Sequence, residues 1–351
     1  MQVKPLKIGD ITAKIPIIQG GMGIGISLGN LAGAVAKEGG VGIISTAQIG
    51  FCEPDYNKNP LEANLRAISK YLKKARKRAD GGIVGVNIMT ATKEYYRYVK
   101  ASVEAGADLI ISGAGLPVDL PEYVKESKTK IAPIVSTKKS AQVLLKLWAR
   151  KYNRIPDLLV IEGPEAGGHL GFKKEEITQI KKEEYQKEIK EIQDTVREYE
   201  ECYKAHIPIA LAGGIYDKED AKEAFLLGVD AIQVATRFVT TEECDAAEEY
   251  KQAYIKCKKE EIEIVQSPVG MPGRAIHNVF QEKIATGVYR PKHCHQCING
   301  CNPAETPYCI TEALIRAAQG DIENGLLFCG AKAYKAEKIE TVHRVIESFF
   351  E

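Results

Sequence analysis

Eight short apolar runs punctuate the chain: KIPIIQ at 14–19, VGIIS at 41–45, IVGVN at 83–87, DLIIS at 108–112, IAPIVS at 131–136, DLLVIE at 157–162, IPIALA at 207–212 and DAIQVA at 230–235. Near-continuous apolar runs of this length are expected of strands buried on both faces, and the intervals between them are long enough for crossover helices. The clearest of these helices spans 185–203, where Tyr185, Ile189, Ile192, Val196, Tyr199 and Tyr203 recur at steps of three and four among Lys and Glu. Eight strand-then-helix units predict the α/β class and a (β/α)8 TIM barrel rather than a doubly wound sheet. The similar segments EAGADLIIS and LLGVDAIQV read as successive helix-to-strand turns, not as a solenoid repeat.

After residue 258 the pattern changes to an extended stretch, EIEIVQSPVGMPGRAIHN, then a cysteine-rich segment, then helices expected at 309–319 and 335–349. The expected organisation is a barrel over 1–258 with residues 259–351 as a small cysteine-containing helical appendage packed on it, because neither terminal helix could bury a core alone.

Charge adds an exclusion. Lys and Arg total 48 against 47 acids, so the net charge of +1 offers no field that would gather nucleic acid. A small-molecule substrate is the better expectation, and a homodimer is compatible with it. No stretch approaches the length of a membrane span, and the start MQVKPLKIGD lacks the apolar core of a signal peptide. Five of the nine cysteines fall after residue 290 and the rest are scattered, which suits a reducing compartment with one local thiol site. The expected location is the cytoplasm.

In such a barrel the loops after the strands open on one face, so residues far apart in sequence converge there. Those positions are Gly20, Gly21 and Met22, then Asn87, Ser112 and Gly113, then Glu162 to His169, Gly213 and Gly214, and Thr236. Three of the loops are glycine-rich, which lets backbone N–H groups approach a flat ring or a phosphate. LAGGIYD at 211–217 followed by IQVATRF at 232–238 predicts a phosphate site from the loops after the seventh and eighth strands. GGMGIG at 20–25 has no acidic ribose partner and is not read as a dinucleotide fingerprint.

IPIIQGGM, GVN, ISGAG, EAGGH, LAGGI and QVATRF, in this order over 15–238, resemble the FMN-dependent nitronate monooxygenase (2-nitropropane dioxygenase) family, whose superfamily includes the flavin-dependent enoyl-[acyl-carrier-protein] reductase. The resemblance implies one non-covalent FMN. It places Asn87, Glu162, Gly167, Gly168, Gly213, Gly214, Gln233, Ala235 and Thr236 at flavin-binding positions and Gly21 and Met22 beside the ring. His169 falls at the family's catalytic histidine, a residue whose ordinary pKa near 6.5 suits proton traffic at neutral pH. The implied reaction is O2-dependent oxidation of alkyl nitronates to carbonyl compounds and nitrite. The alternatives are NAD(P)H-linked reduction of an enoyl thioester and a flavin or metal sensor without turnover. Glu162 is a departure: the monooxygenases carry glutamine there and the enoyl reductases often glutamate.

HCHQCINGCNPAETPYC sets Cys294, Cys297, Cys301 and Cys309 at a C-x2-C-x3-C-x7-C spacing, with His293 and His295 beside them. Four thiolates there could hold zinc or an iron–sulfur cluster. We expect reduced thiols instead, because two prolines fix the path of the last interval and a cytoplasmic thiol need not be paired.

Overall fold

The structure is a computed structural model describing residues 3–351 apart from 269, 288, 290 and 292; Val269, inside the expected extended stretch, therefore lies outside the described residues. Eight parallel strands close into a barrel: β1 Ile17–Gln19, β2 Val41–Ser45, β3 Ile83–Met89, β4 Leu109–Gly113, β5 Lys130–Val135, β6 Leu159–Glu162, β7 Ile209–Ala212 and β8 Ala231–Val234. Each pairs with its neighbours in sequence, and β8 closes on β1 through Ile232 opposite Ile17 and Val234 opposite Gln19. This is the expected TIM barrel. The first strand is shorter than its apolar run, which carries Pro16 just before the pairing begins.

Alternation along the strands divides the apolar residues between two cores. Ile18, Val41, Ile43, Leu109, Ile111 and Val160 point into the barrel, where Leu6, Ile8 and Ala13 of an N-terminal hairpin close its floor. Ile17, Ile44, Val84, Val86, Ile110, Leu159 and Ile161 point outward under the helices. Both sets are fully or nearly fully removed from water.

The recurring helix-to-strand turns have a structural reason. Asp108 accepts a hydrogen bond from Val84 N–H at 2.9 Å, Asp157 from Ile131 N–H at 2.9 Å and Asp230 from Ile209 N–H at 2.8 Å. Each aspartate stands just before β4, β6 or β8 and ties the start of the preceding strand. The helix Gly29–Lys37 lacks a local side-chain cap; the Asp245 carboxylate, distant in sequence, receives Leu28, Asn30 and Leu31 N–H at 2.9, 3.3 and 3.1 Å.

The segment after 258 differs from the expected one in detail. Ile262–Gln266 and Pro272–Ile276 form an antiparallel pair, and Gly168–His169 adds to its edge as a third strand. A helix Val279–Thr286, not anticipated, follows. The last helix begins at Val342, not 335, because Thr341 caps it by accepting Arg344 N–H. Its buried residues Val342, Val345, Ile346 and Phe349 join the outer barrel core and pack against the helices Gly29–Lys37 and Lys218–Leu226. It thus occupies the outer position that the four-residue helix Thr236–Val239 after β8 is too short to fill. Among the described residues no helix is long and apolar enough to cross a membrane.

Candidate active site

A cavity of about 250 Å³ opens at the C-terminal ends of the strands. Gly21, Met22, Asn87, Glu162, Gly167, Gly168, His169, Gly213, Gly214, Gln233, Ala235 and Thr236 all line it. Gly113 lines it too, but Ser112 does not; its hydroxyl donates to Ile88 O at 2.7 Å within the barrel wall.

The β1 loop runs so close to β3 that a side chain at Gly21 would collide with Asn87. Gln233, in β8, lies where a Cβ at Gly20 would meet its Cγ at 3.4 Å, and its Oε1 is buried with no hydrogen-bond partner among the described residues. An orphaned buried acceptor on a residue that lines a cavity is what an incoming donor would satisfy.

His169 sits on a loop held from outside the barrel. Gly273 pairs with it across the small sheet, Leu170 N–H donates to Pro272 O at 2.9 Å, and the buried Arg274 guanidinium donates to Ala166 O. The two preceding glycines have different reasons. A Cβ at Gly167 would lie 2.6 Å from the carbonyl carbon of Cys329, whereas Gly168 has open space but a φ of +72°. The imidazole Nε2 is 2.9 Å from Ser267 Oγ, and the ring meets Phe328 edge to face at 5.1 Å. Burial lowers its pKa from 6.5 to about 4, so the imidazole is neutral throughout the physiological range.

Glu162 faces the cavity from the end of β6 with protein packed densely around it. That burial pushes its carboxyl up to about 7. The nearby Tyr185 hydroxyl donates to the Glu162 main-chain carbonyl at 2.9 Å and leaves the carboxyl unengaged by it.

At the β7–β8 end, Gly213 and Gly214 have φ of +94° and +75°, and Thr236 Oγ1 accepts Gly330 N–H at 2.9 Å. The Glu165 carboxylate lies directly over Gly214, so an anion seated there requires that side chain to turn away. Lys332 enters the same end of the cavity and donates to Asp220; Lys335 donates to Asp217 at 2.5 Å. These two pairs lock the 330–335 segment to the start of the helix Lys218–Leu226.

Several wall residues were not anticipated: Phe328, Cys329, Gly330 and Lys332, and Ile298, Ile310 and Leu314. They come from the segment after 290, and no local periodicity points toward the barrel mouth. The one hint in the sequence was Gly330 in LFCGAK, a glycine directly after a cysteine. Of the four clustered cysteines only Cys297 reaches the cavity. Cys309 caps the helix Ile310–Ala318, its sulfur accepting Glu312 N–H at 3.5 Å. Burial raises the Cys297 thiol and pushes that of Cys309 up to about 11. Among the described residues no three His, Cys, Asp or Glu side chains converge to hold a metal ion.

With this geometry in view, comparison with known proteins is informative. The chain is 23% identical over 307 residues to a probable nitronate monooxygenase of Staphylococcus saprophyticus, covering 81% of each chain. The solved structure of FabK from Thermotoga maritima superimposes with a TM-score of 0.72 at 26% identity, over 95% of this chain and 91% of that one. Nitroalkane oxidase from Streptomyces ansochromogenes shares the fold with a TM-score of 0.71 at 18% identity, over 95% and 94% of the two chains. The family model for nitronate monooxygenase matches residues 4–351, taking in both the barrel and the segment that walls its mouth. The chain is therefore an oxidoreductase belonging to the nitronate monooxygenase family.

Proposed function

We propose that the protein is an FMN-dependent nitronate monooxygenase, converting alkyl nitronates with O2 to carbonyl compounds and nitrite. FMN bound in the cavity would supply the redox chemistry with the nitronate and with O2. The residues present fit it once the Glu165 carboxylate turns away from Gly214: a glycine-walled slot at Gly20–Gly21, an unsatisfied acceptor on Gln233, and two strand-end turns, Gly213–Gly214 and Ala235–Thr236, for its phosphate.

The observation that carries the reading is His169 held on the cavity wall by Ser267 and Phe328, with burial lowering its pKa. With a pKa near 4 it is a poor acceptor for a carbon-bound proton, which disfavours a neutral nitroalkane as the working substrate. It remains a good hydrogen-bonding group. Nε2 meets Ser267, leaving Nδ1 without a partner among the described residues and able to orient a substrate that arrives already deprotonated. Protein loaded with FMN should be yellow and should release nitrite from a primary alkyl nitronate faster than from the parent nitroalkane at the same pH. A correctly folded preparation that takes up no flavin would refute the cofactor assignment, and a flavin-loaded one that releases no nitrite would refute the reaction.

One observation favours a second reading, NAD(P)H-linked reduction of an enoyl thioester. Glu162, raised to about 7, is substantially protonated at neutral pH and could donate a proton in the cavity. Rapid anaerobic bleaching of the flavin by NADH, with turnover of a crotonyl thioester and no nitrite from nitronates, would establish it in place of the first.

A further inference from the structure

The cavity has two chemically different ends. Among the described lining residues the charged side chains are Glu162, Glu165 and Lys332, all toward the ends of β6 to β8, and Lys332 is already paired with Asp220. The other end is uncharged and mostly apolar: Ile24 and Ile26 on the β1 loop line the cavity together with Ile298, Ile310 and Leu314 of the C-terminal segment, with Thr92, Cys297 and Thr311 beside them. These parts are packed together: a Cβ at Gly25 would lie 3.2 Å from Ala318 Cβ at the end of the helix Ile310–Ala318, and Ile298 bridges to Thr92 after β3. Phe328, which packs with Ile310 and Leu314, also touches the His169 ring, so this end begins beside the proposed reacting position.

We infer that the substrate carries an uncharged apolar tail, and that Ile298, Ile310 and Leu314 of the C-terminal segment, not the barrel, set its preferred length. The inference deepens the proposed reaction at the same cavity and rests on that reading. At this end a carboxylate on the tail would meet no cation among the described lining residues, Lys332 lying at the other end and paired with Asp220, and its desolvation would go uncompensated. An alkyl chain instead removes apolar area from water on both partners. The segment thus acts as a specificity wall built from outside the catalytic strands, in line with its close packing on the β1 and β3 loops.

The test uses flavin-loaded full-length protein with the nitronates of nitroethane, 1-nitrobutane and 1-nitrohexane, and with propionate 3-nitronate. We expect kcat/KM to rise about threefold per added methylene. Propionate 3-nitronate should fall at least about tenfold below 1-nitrobutane nitronate, the chain of comparable length whose tail is uncharged. Leu314→Ala should flatten the length dependence. Ile298→Arg, or Leu314→Lys should the first variant fold poorly, should reverse the order by supplying the missing cation. A wild-type series indifferent to length, or one led by propionate 3-nitronate, overturns the inference. If no nitronate yields nitrite, the reaction reading fails but the wall can still be judged by calorimetric binding of hexanamide and hexanoate. Hexanamide binding about tenfold more tightly, with the preference lost in Ile298→Arg, supports the wall; equal binding overturns it.

Discussion

His169 and Glu162 are shifted in opposite directions by one cause. Each loses water, and in each the charged form is the one penalised, so the imidazole becomes harder to protonate and the carboxyl harder to ionise. The consequences for stability have opposite signs. In the native protein Glu162 keeps its proton to about pH 7, whereas the unfolded chain releases it near 4.5. Its contribution is present below that lower value and is lost as pH rises through 7. Glu162→Gln should therefore gain stability relative to wild type between pH 5 and pH 8, by up to about 3 kcal/mol, measurable as a pH-dependent difference in Tm of the flavin-free protein. His169 works in reverse: its contribution is present above 6.5 and is lost as pH falls toward 4. The two windows overlap, so only single variants separate them. For turnover of a nitronate, His169→Ala should lower kcat/KM by about tenfold with flavin retained, the worth of one orienting hydrogen bond, while an unchanged kcat/KM would leave the ring a packing role against Phe328.

At the scale of elements, the barrel floor and the barrel mouth depend on different contacts. The floor is held by a repeated device, an aspartate before an even-numbered strand accepting an N–H of the odd-numbered strand beside it. These carboxylates lie at the end of the barrel opposite the cavity. Asp157→Ala should thus lower stability by about 1–3 kcal/mol without altering kcat/KM, checked by denaturant titration alongside the nitrite assay. The mouth depends on segments remote in sequence: Arg274 on the carbonyl of Ala166, Cys329 against Gly167, and Gly330 on Thr236. Gly167→Ala would drive a methyl into the Cys329 carbonyl, and we expect the His169 loop to shift, reducing flavin retention more than overall stability. Flavin content after gel filtration measures that directly.

For the molecule as a whole, the C-terminal segment is both wall and outer layer. It lines the cavity through Ile298 and Phe328, locks to the helix Lys218–Leu226 through Lys332 and Lys335, and ends in the helix that packs against both Gly29–Lys37 and Lys218–Leu226. Phe349 is fully buried in that last helix. Phe349→Ala should cost about 3–5 kcal/mol and lower Tm in one cooperative transition. A separate low-temperature transition would show instead that the terminal helix melts apart from the barrel.

The sequence by itself determined the barrel. Apolar runs bury both faces of a strand, their number and spacing admit eight crossover units, and glycines after the strands mark where backbone must pass close to something. It also pointed to the residues that gather at the strand ends, because in this fold the end of every strand faces the same cavity. The tertiary structure alone decided what closes that cavity and how its groups titrate. Glu162 and His169 owe their shifted pKa values to burial, which no local pattern encodes. Phe328, Ile298 and Leu314 reach the site through a segment whose own periodicity describes only its packing, not which surface it packs on. The reason is physical: strand burial and turn geometry are fixed by residues a few positions apart, whereas desolvation and cavity shape arise from residues that meet only when the chain has folded.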